Sequence, residues 1–240
     1  MTSVAIMQPT YMPWVGYLAL MDAVDIFVFL DSVQFDRRSW QQRNRVRTAA
    51  GELMLTVPVH KKGKRDQVIA DVEIDHQGDP LDKHSRTISL AYAKAPFIAS
   101  FGPSLAAILA AKPAKLVDLN LAVIDWARAV LGIATPVMRS SRLRANGRKA
   151  DLLAAICAEV GADRYVSPPG SRAYLEASAA MTERGIDVEY FAYDCVPYAQ
   201  QHGTDFLPYL SVTDLILNHG GAGSDIMRAG VRQPAAIGVS

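Results

Sequence analysis

The chain has 240 residues, of which 50% are hydrophobic and 20% charged, and its net charge is +1. This composition is typical of a folded globular protein, and the near-zero charge gives no indication of binding to nucleic acid or to a membrane surface. Two cysteines without a CxxC pair argue against a disulfide framework or a zinc site, and the absence of a signal sequence or a long apolar run predicts a cytoplasmic protein without a membrane span.

Short apolar runs alternate with helical periodicities along the chain. In chain order we predict a strand at residues 4–7, a helix at 14–23, strands at 26–30, 53–57 and 68–74, helices at 116–131 and 149–160, a strand at 165–167, a helix at 171–184, a strand at 187–193 and a helix at 211–218. Gly132 follows the longest helix as a cap residue, and Ser171 and Ser211 have the side chain of an N-cap.

Strands separated by helices predict an α/β fold, with a mostly parallel sheet and helices on both faces. We expect a single domain over residues 1–230, a C-terminal tail over 231–240 and a mobile basic loop at 60–67. Ligands of such folds bind beyond the carboxyl ends of the strands. The segments that follow predicted strands are therefore the candidate site.

The segment after the first strand reads QPTYMPWVGY. Its prolines stiffen the backbone, and the N–H groups of the helix that follows favour an anion. We expect Tyr11, Trp14 and Tyr17 to pack against a flat or sugar-like group and Gln8 to orient it. The alternative is an aromatic-rich turn that only seals the edge of the sheet.

The segment after the second strand combines a carboxylate with a basic run. Asp31 ends an apolar strand, where it can bind an amine or hydroxyl or act as a base. Residues 37–65 hold nine Lys and Arg side chains and one acid. Such a local positive field favours a phosphate-bearing ligand over nucleic acid, unless the run is only a solvated loop. The predicted ligand contacts are Gln34, Arg38, Arg43, Asn44 and Lys61.

Further candidates lie along the rest of the chain. His84 is an alternative base or an exposed histidine, and a nucleophilic Cys195 is disfavoured because its spacing identifies no partner histidine. No HxH motif or carboxylate cluster is present, so we predict no metal site. The remaining predicted ligand contacts, any of which can instead cap a helix or support a turn, are Ser167, Tyr174, Tyr198, Gln200, Ser211, Asp214 and Asn218.

Several motifs together resemble the WbqC-like family in order and type, from about residue 4 to residue 228: QPTYMPWVGY, DSVQF…RNRVR, YVSPPGSRAYL and VPYAQ…FLPYLSVTDLILNHG. The resemblance implies a place in bacterial O-antigen or other surface-polysaccharide biosynthesis, and transfer of glycine or another aminoacyl group onto a sugar. The family often has His before Gln-Pro, whereas Met7 stands there in this chain.

The first motif is also similar to the opening of nucleotidyltransferases, so the expected fold is Rossmann-like or nucleotidyltransferase-like. Trp14 and Tyr17 stand where that superfamily has phosphate-stabilising histidines, which argues against its chemistry.

We therefore expect a transferase of a small acyl or aminoacyl (glycyl-like) group to a sugar or amine acceptor, in surface-polysaccharide or related secondary-metabolite biosynthesis. Its substrate is expected to be a phosphate-bearing or thioester-activated small molecule. The alternatives are a nucleotidyltransferase-like enzyme that uses ATP or CTP and a non-catalytic assembly factor for polysaccharide enzymes. Sequence leaves the cofactor and the oligomeric state open.

Overall fold

A computed structural model describes residues 1–60, 63 and 66–232 of the chain. The strands, in chain order, are β1 (Ser3–Met7), β2 (Ile26–Phe29), β3 (Arg43–Thr48), β4 (Gly51–Thr56), β5 (Val137–Arg139), β6 (Arg164–Ser167), β7 (Asp187–Tyr190), β8 (Ala192–Tyr193) and β9 (Val231–Arg232). The helices are α1 (Val15–Asp22), α2 (Pro80–Ala91), α3 (Ile98–Ala110), α4 (Leu116–Leu131), α5 (Lys149–Glu159), α6 (Arg172–Glu176), α7 (Val212–His219) and α8 (Gly223–Ala229).

The central sheet has five parallel strands in the order β5-β2-β1-β6-β7. Numbered along the chain, this is the order 3-2-1-4-5 of a doubly wound sheet, which reverses direction between β1 and β6. β1 pairs with β2 as far as Met7, opposite Phe29, but with β6 only as far as Val4, opposite Tyr165. The two central strands therefore separate toward their carboxyl ends and open a crevice at the reversal point.

The sheet is covered on both faces, and the central strands β1 and β2 are apolar at nearly every position. Ala5 and Phe27 belong to a core that includes residues of α1, α4 and α7, whereas Val4, Ile6 and Val28 belong to a second core formed with α5. Alternate side chains of a strand point to opposite faces, which accounts for this division. The predicted α/β fold, with a parallel sheet and helices on both faces, is confirmed.

The long connection between β2 and β5 contains elements outside the sheet. Within it, β3 and β4 form an antiparallel hairpin, with Arg43 opposite Thr56 and Thr48 opposite Gly51. The predicted strand at 53–57 thus belongs to this hairpin and not to the central sheet. Helices α2, α3 and α4 complete the connection. The hairpin also contacts α7, so the C-terminal part of the chain packs against the insertion.

Three predicted elements differ from the structure. Residues 68–74 alternate as a strand would, but form a 3-10 turn at Ile69–Asp71 with only isolated bridges on either side. The predicted helix at 171–184 stops at Glu176, and the strand at 187–193 breaks between β7 and β8. The apolar alternation at 68–74 buries Ile69, Val72 and Ile74 without a continuous partner strand, and a strand requires one.

Of the three predicted helix caps, two are present in the structure and one is not. Ser211 is the N-cap of α7, since its hydroxyl accepts a hydrogen bond from the Thr213 amide, and Gly132 ends α4 with a φ of 68°. Ser171 makes no capping bond, because its hydroxyl donates to the Pro168 carbonyl.

Two expectations reach beyond the described part of the chain. Val231 and Arg232 of the expected tail form β9, while residues 233–240 lie outside the described residues. Half of the basic stretch 60–67, including Lys61, also lies outside them. None of the helices that are described is long and apolar enough to cross a membrane.

Candidate functional site

A cleft of two adjoining cavities lies at the carboxyl end of β1, where the sheet order reverses. The first, here called the switch-point cavity, has a volume of about 380 Å³ and is lined by Ile6, Met7, Gln8, Thr10, Leu30, Ser39, Trp40, Gln41, Leu153, Tyr165, Pro168, Gly170, Ser171 and Tyr174. The second, here called the aromatic cavity, has a volume of about 340 Å³ and is lined by Met7, Thr10, Trp14, Tyr17, Trp40, Asn44, Arg45 and Tyr209. Both volumes suit a small-molecule ligand, and the position follows the rule for doubly wound sheets.

Neighbouring elements hold the first motif in place beneath the cleft. The Tyr11 amide donates to the Trp40 carbonyl at 3.0 Å. The Asn44 side chain donates to the carbonyls of Met12 at 2.7 Å and Tyr11 at 3.3 Å. Asn120 of α4 donates to the Pro9 carbonyl at 3.2 Å. The backbone of the motif is thus fixed by β3 and α4, which gives the cleft a preformed floor.

Aromatic rings form the wall of the aromatic cavity. The Trp14 ring contacts Tyr193 edge-on, at 5.4 Å between centroids, and lies 5.5 Å from Tyr209. Tyr17 is buried and donates its hydroxyl to the Gln8 carbonyl at 3.2 Å. Trp40 is 48% exposed and stands where both cavities meet. Such flat, apolar surfaces suit a planar or sugar-like group.

Uncharged polar groups line the switch-point cavity. The side-chain amide of Gln41 donates to the Gln8 side-chain oxygen at 2.8 Å, which fixes both amides. Ser171 and Tyr174 contribute hydroxyls from the opposite wall. The hydroxyl of Thr10 is buried and has no hydrogen-bond partner among the described residues. An unpartnered buried hydroxyl is rare in a folded protein, and Thr10 lines both cavities.

Arg45 is the one charged side chain that lines the cleft within the described part of the chain. Its guanidinium donates to the Glu52 carboxylate at 2.7 Å and to the Tyr209 carbonyl at 3.2 Å. It also lies 5.6 Å from the centre of the Trp40 ring. The side chain is 24% exposed and these two bonds use only part of its five N–H donors, so donor capacity remains for a ligand.

Five of the predicted ligand contacts line the cleft: Gln8, Trp14, Tyr17, Asn44 and Tyr174. Tyr11 lies in the core and does not reach either cavity. Sequence reasoning missed Thr10, Trp40, Gln41, Arg45 and Tyr209. The alternation of RNRVR puts Arg43, Arg45 and Arg47 on one face of β3, but only the packing of Tyr209 distinguishes Arg45 from its neighbours.

Asp31, the predicted base, is fully buried away from the cleft. Its carboxylate accepts hydrogen bonds from Arg139 Nε at 2.6 Å, the Ser141 amide and hydroxyl at 2.8 Å each, and the Ser140 hydroxyl at 3.2 Å. These donors satisfy both oxygens. Asp31 thus ties the end of β2 to the segment after β5, in a site that gives a substrate no access.

His84, the alternative base, is also buried. It lies on α2, where Nδ1 is 2.9 Å from the Tyr11 hydroxyl. Burial lowers the pKa of His84 to about 4, against a weaker opposing effect of a hydrogen bond with the Thr56 backbone. Burial likewise raises the pKa of the Tyr11 hydroxyl. Both side chains are therefore neutral at physiological pH and support the motif from below.

The predicted contacts in the C-terminal half form a closed buried network around Asp214. Tyr92 and Gln200 each donate to its carboxylate at 2.9 Å, and Arg47 donates to Gln200 at 2.6 Å. Burial raises the pKa of Asp214, and the bonds from Tyr92, Tyr198 and Gln200 partly oppose this. This network fastens α7 to β3 and lines neither cavity.

The other predicted positions lie outside the cleft. Ser211 caps α7 and Asn218 donates to the Asp214 carbonyl, while the Ser167 hydroxyl bonds that of Ser171 behind the switch-point cavity. Gln34 is exposed and donates to Asp66, Arg38 is exposed, and the Arg43 Nε is buried without a partner in the described chain. Lys61 lies outside the described residues.

The described part of the cleft wall offers hydroxyls, such as those of Ser39, Ser171 and Tyr174, but no carboxylate, imidazole or thiol that would act as a base or activate them. The described lining residues include no Asp, Glu, His or Cys. Cys195 is half-buried beside Tyr193, and burial raises the pKa of its thiol. No group of three or more His, Cys, Asp or Glu side chains in the described chain is placed to hold a metal ion. The cleft is therefore suited to holding reactants, through rings, amides, hydroxyls and one guanidinium.

The chain matches known proteins over nearly its whole length. The sequence profile of the WbqC-like protein family matches residues 8–226. The uncharacterized protein Rv1507c of Mycobacterium tuberculosis is 34% identical over 229 residues, which is 95% of this chain and 98% of that protein. No solved structure matches the chain.

Proposed function

Because the chain belongs to the WbqC-like protein family, we propose that it is a transferase of a small acyl or aminoacyl group and that the cleft is its active site. The donor is a phosphate-bearing or thioester-activated small molecule, and the acceptor is an amine, such as that of an amino sugar. The expected setting in surface-polysaccharide or related secondary-metabolite biosynthesis is part of this proposal.

The observation that carries the proposal is the composition of the cleft wall. Aromatic rings, fixed amides and a guanidinium surround a preformed space at the reversal point of the sheet, and no described lining side chain is a carboxylate, an imidazole or a thiol. Such a site accelerates a reaction by positioning two reactants and by stabilising charge on oxygen. Acyl transfer from an activated donor requires little more.

The wall composition also favours an amine acceptor over a hydroxyl. An amine that is partly neutral near pH 8 attacks the carbonyl carbon directly, whereas a hydroxyl requires a base to remove its proton. With a thioester donor, the new C–N bond forms as the C–S bond breaks, and its electron pair leaves with sulfur. The proton released by the amine then reaches the thiolate through water, so that an amide and a thiol are the products.

The test is product formation by the purified protein. Incubation with acetyl-coenzyme A, or with a preformed glycyl thioester, in the presence of glucosamine should give the N-acylated sugar by mass spectrometry. Arg45→Ala should reduce the rate at least about tenfold, because one charged contact to the donor is lost. The matched control is Arg184→Ala, which removes an exposed arginine that lines neither cavity.

Two outcomes would contradict the proposal. Release of pyrophosphate from ATP or CTP with a nucleotide attached to the sugar would identify a nucleotidyltransferase. Absence of turnover with every donor, together with wild-type polysaccharide in cells that carry Arg45→Ala, would favour the non-catalytic assembly factor.

A further inference from the structure

We infer that the two cavities hold donor and acceptor side by side, and that the Thr10 hydroxyl donates a hydrogen bond to the carbonyl oxygen of the transferred group where they meet. This inference rests on the proposed function and deepens it, because it names the substrate of each cavity. Three features carry it: the shared lining of the cavities, the different chemistry of their outer walls and the unpartnered hydroxyl between them.

The cavities adjoin through Met7, Thr10 and Trp40, which line both of them. Each cavity is within the usual size for a small-molecule site, so neither needs the other to hold its own ligand. A transfer reaction requires two reactants whose reacting atoms lie about 3–3.5 Å apart. Two adjoining cavities with a common border provide that arrangement without movement of the backbone.

The outer walls differ in a way that separates donor from acceptor. The aromatic cavity contains Arg45 beside the rings of Trp14 and Tyr209, which suits a planar group joined to phosphate. The switch-point cavity contains the paired amides of Gln8 and Gln41 and the hydroxyl of Tyr174, which suit the hydroxyls of a sugar. The donor therefore occupies the aromatic cavity and the amine-bearing acceptor the switch-point cavity.

Thr10 lies at the border with a buried hydroxyl that has no partner among the described residues. A carbonyl oxygen placed there would satisfy it, and this oxygen gains negative charge as the acceptor amine attacks. A single donor aimed at such an oxygen contributes typically 100- to 1000-fold to a rate. The Thr10 hydroxyl keeps its proton. It stabilises the negative charge on the carbonyl oxygen by a hydrogen bond and forms no covalent bond to either reactant.

The division is tested by calorimetric titration with acetyl-coenzyme A and with glucosamine. Coenzyme A, which carries no acyl group to transfer, and glucosamine should bind the wild-type protein together, each with an affinity unchanged within about twofold by the other. Tyr209→Ala should weaken acetyl-coenzyme A at least about tenfold and leave glucosamine unchanged, whereas Tyr174→Ala should do the reverse. A parallel titration with glycyl-sulfamoyl adenosine, a stable analogue of glycyl adenylate, distinguishes an adenylate donor from a thioester donor. Mutually exclusive binding, or failure of glucosamine or of both donor probes to bind, would overturn the division.

The role of Thr10 is tested by affinity alone, without turnover. Wild-type protein should prefer acetyl-coenzyme A over coenzyme A by about five- to tenfold, the value of one hydrogen bond to the acetyl carbonyl. Thr10→Val should abolish the preference and Thr10→Ser should retain it. A preference that survives in Thr10→Val rules the hydrogen bond out. If both cavities are occupied together but acetyl-coenzyme A and glucosamine give no product, the proposed function is refuted and the division stands. If product forms although binding is mutually exclusive, the division is refuted and the proposed function stands.

Discussion

Gly16 supports the aromatic wall because the indole ring of Trp14 lies directly over its Cα. A Cβ added at this position would be 2.2 Å from Cη2 of that ring. The ring has little freedom to move, since Tyr193 and Tyr209 pack against it. The glycine of the first motif is thus explained by close packing, while its φ places no demand for glycine.

We predict that Gly16→Ala lowers the free energy of unfolding by roughly 1–3 kcal/mol, the usual result of overpacking, and weakens binding in the aromatic cavity. Urea denaturation and titration with acetyl-coenzyme A measure the two effects. Gly170→Ala is the matched control for the stability measurement, because a Cβ there has no neighbour within 4 Å. Equal stability of the two variants would show that Trp14 moves freely and that the wall is not rigid.

Asp31 illustrates a buried charge whose partners come from a distant part of the sequence. We predict that Asp31→Asn lowers the free energy of unfolding by about 2–3 kcal/mol, since Arg139 loses its buried partner but keeps some access to water. The control is Asp118→Asn, which removes the exposed and longer contact to the same arginine, at 3.6 Å. A stable Asp31→Asn variant without activity would instead support the catalytic role predicted from sequence.

At the scale of elements, α2 supports the first motif through one histidine. His84 is charged more readily in the unfolded chain, where its pKa is near 6.5, than in the folded protein, where burial lowers the pKa to about 4. The unfolded state therefore binds more protons between these values. The contribution of His84 to stability is complete above pH 6.5 and is lost as the pH falls toward 4.

We predict that the free energy of unfolding of the wild-type protein falls by about 2 kcal/mol more than that of His84→Gln between pH 7 and pH 5. Urea denaturation at the two pH values gives this difference, and carboxylates common to both proteins cancel. His60→Gln, at an exposed position, should follow the wild-type protein. Parallel pH profiles for wild type and His84→Gln would mean that the histidine accepts a proton without unfolding.

The central strands and the long helices were accessible to sequence reasoning, because runs such as residues 26–30 are apolar throughout and α4 has an unbroken helical periodicity. β3 was not predicted, because its alternating arginines suggest an exposed loop although Asn44 and Val46 between them are buried. The turn at Ile69–Asp71 has the alternation of a strand, and only the missing partner reveals its conformation.

At the scale of the whole molecule, the first motif and the rule that ligands bind beyond the carboxyl ends of the strands predicted where the cleft lies. The arginine that gives the cleft its charge was not predicted. Nine basic side chains occupy residues 37–65, and nothing in their spacing shows that Arg45 turns toward Tyr209. Asp31 likewise reads as a site residue until Arg139 is seen beside it. The positions of Arg45 and Asp31 depend on contacts with residues more than 100 positions away in the chain. Such contacts cannot be read from a single sequence.

A ligand that joins these distant segments should stabilise the entire fold. At 100 times its dissociation constant, acetyl-coenzyme A should add about 2.7 kcal/mol to the free energy of unfolding and raise Tm by about 5–10 °C. Differential scanning fluorimetry measures the shift, and Trp40→Ala should remove most of it. An undiminished shift in Trp40→Ala would place the ligand elsewhere on the protein.

The packing of Trp14 against Tyr193 and Tyr209, with a bridge from Trp14 to Ser211, has a consequence for biosynthesis. The ribosome releases β1 and the first motif early, but the partners that close over them emerge near the end of translation. A nascent chain can therefore build much of the sheet while its binding surface is still incomplete. Chains that terminate prematurely before residue 193 would lack the far wall, and the cell would gain no partially active product from them.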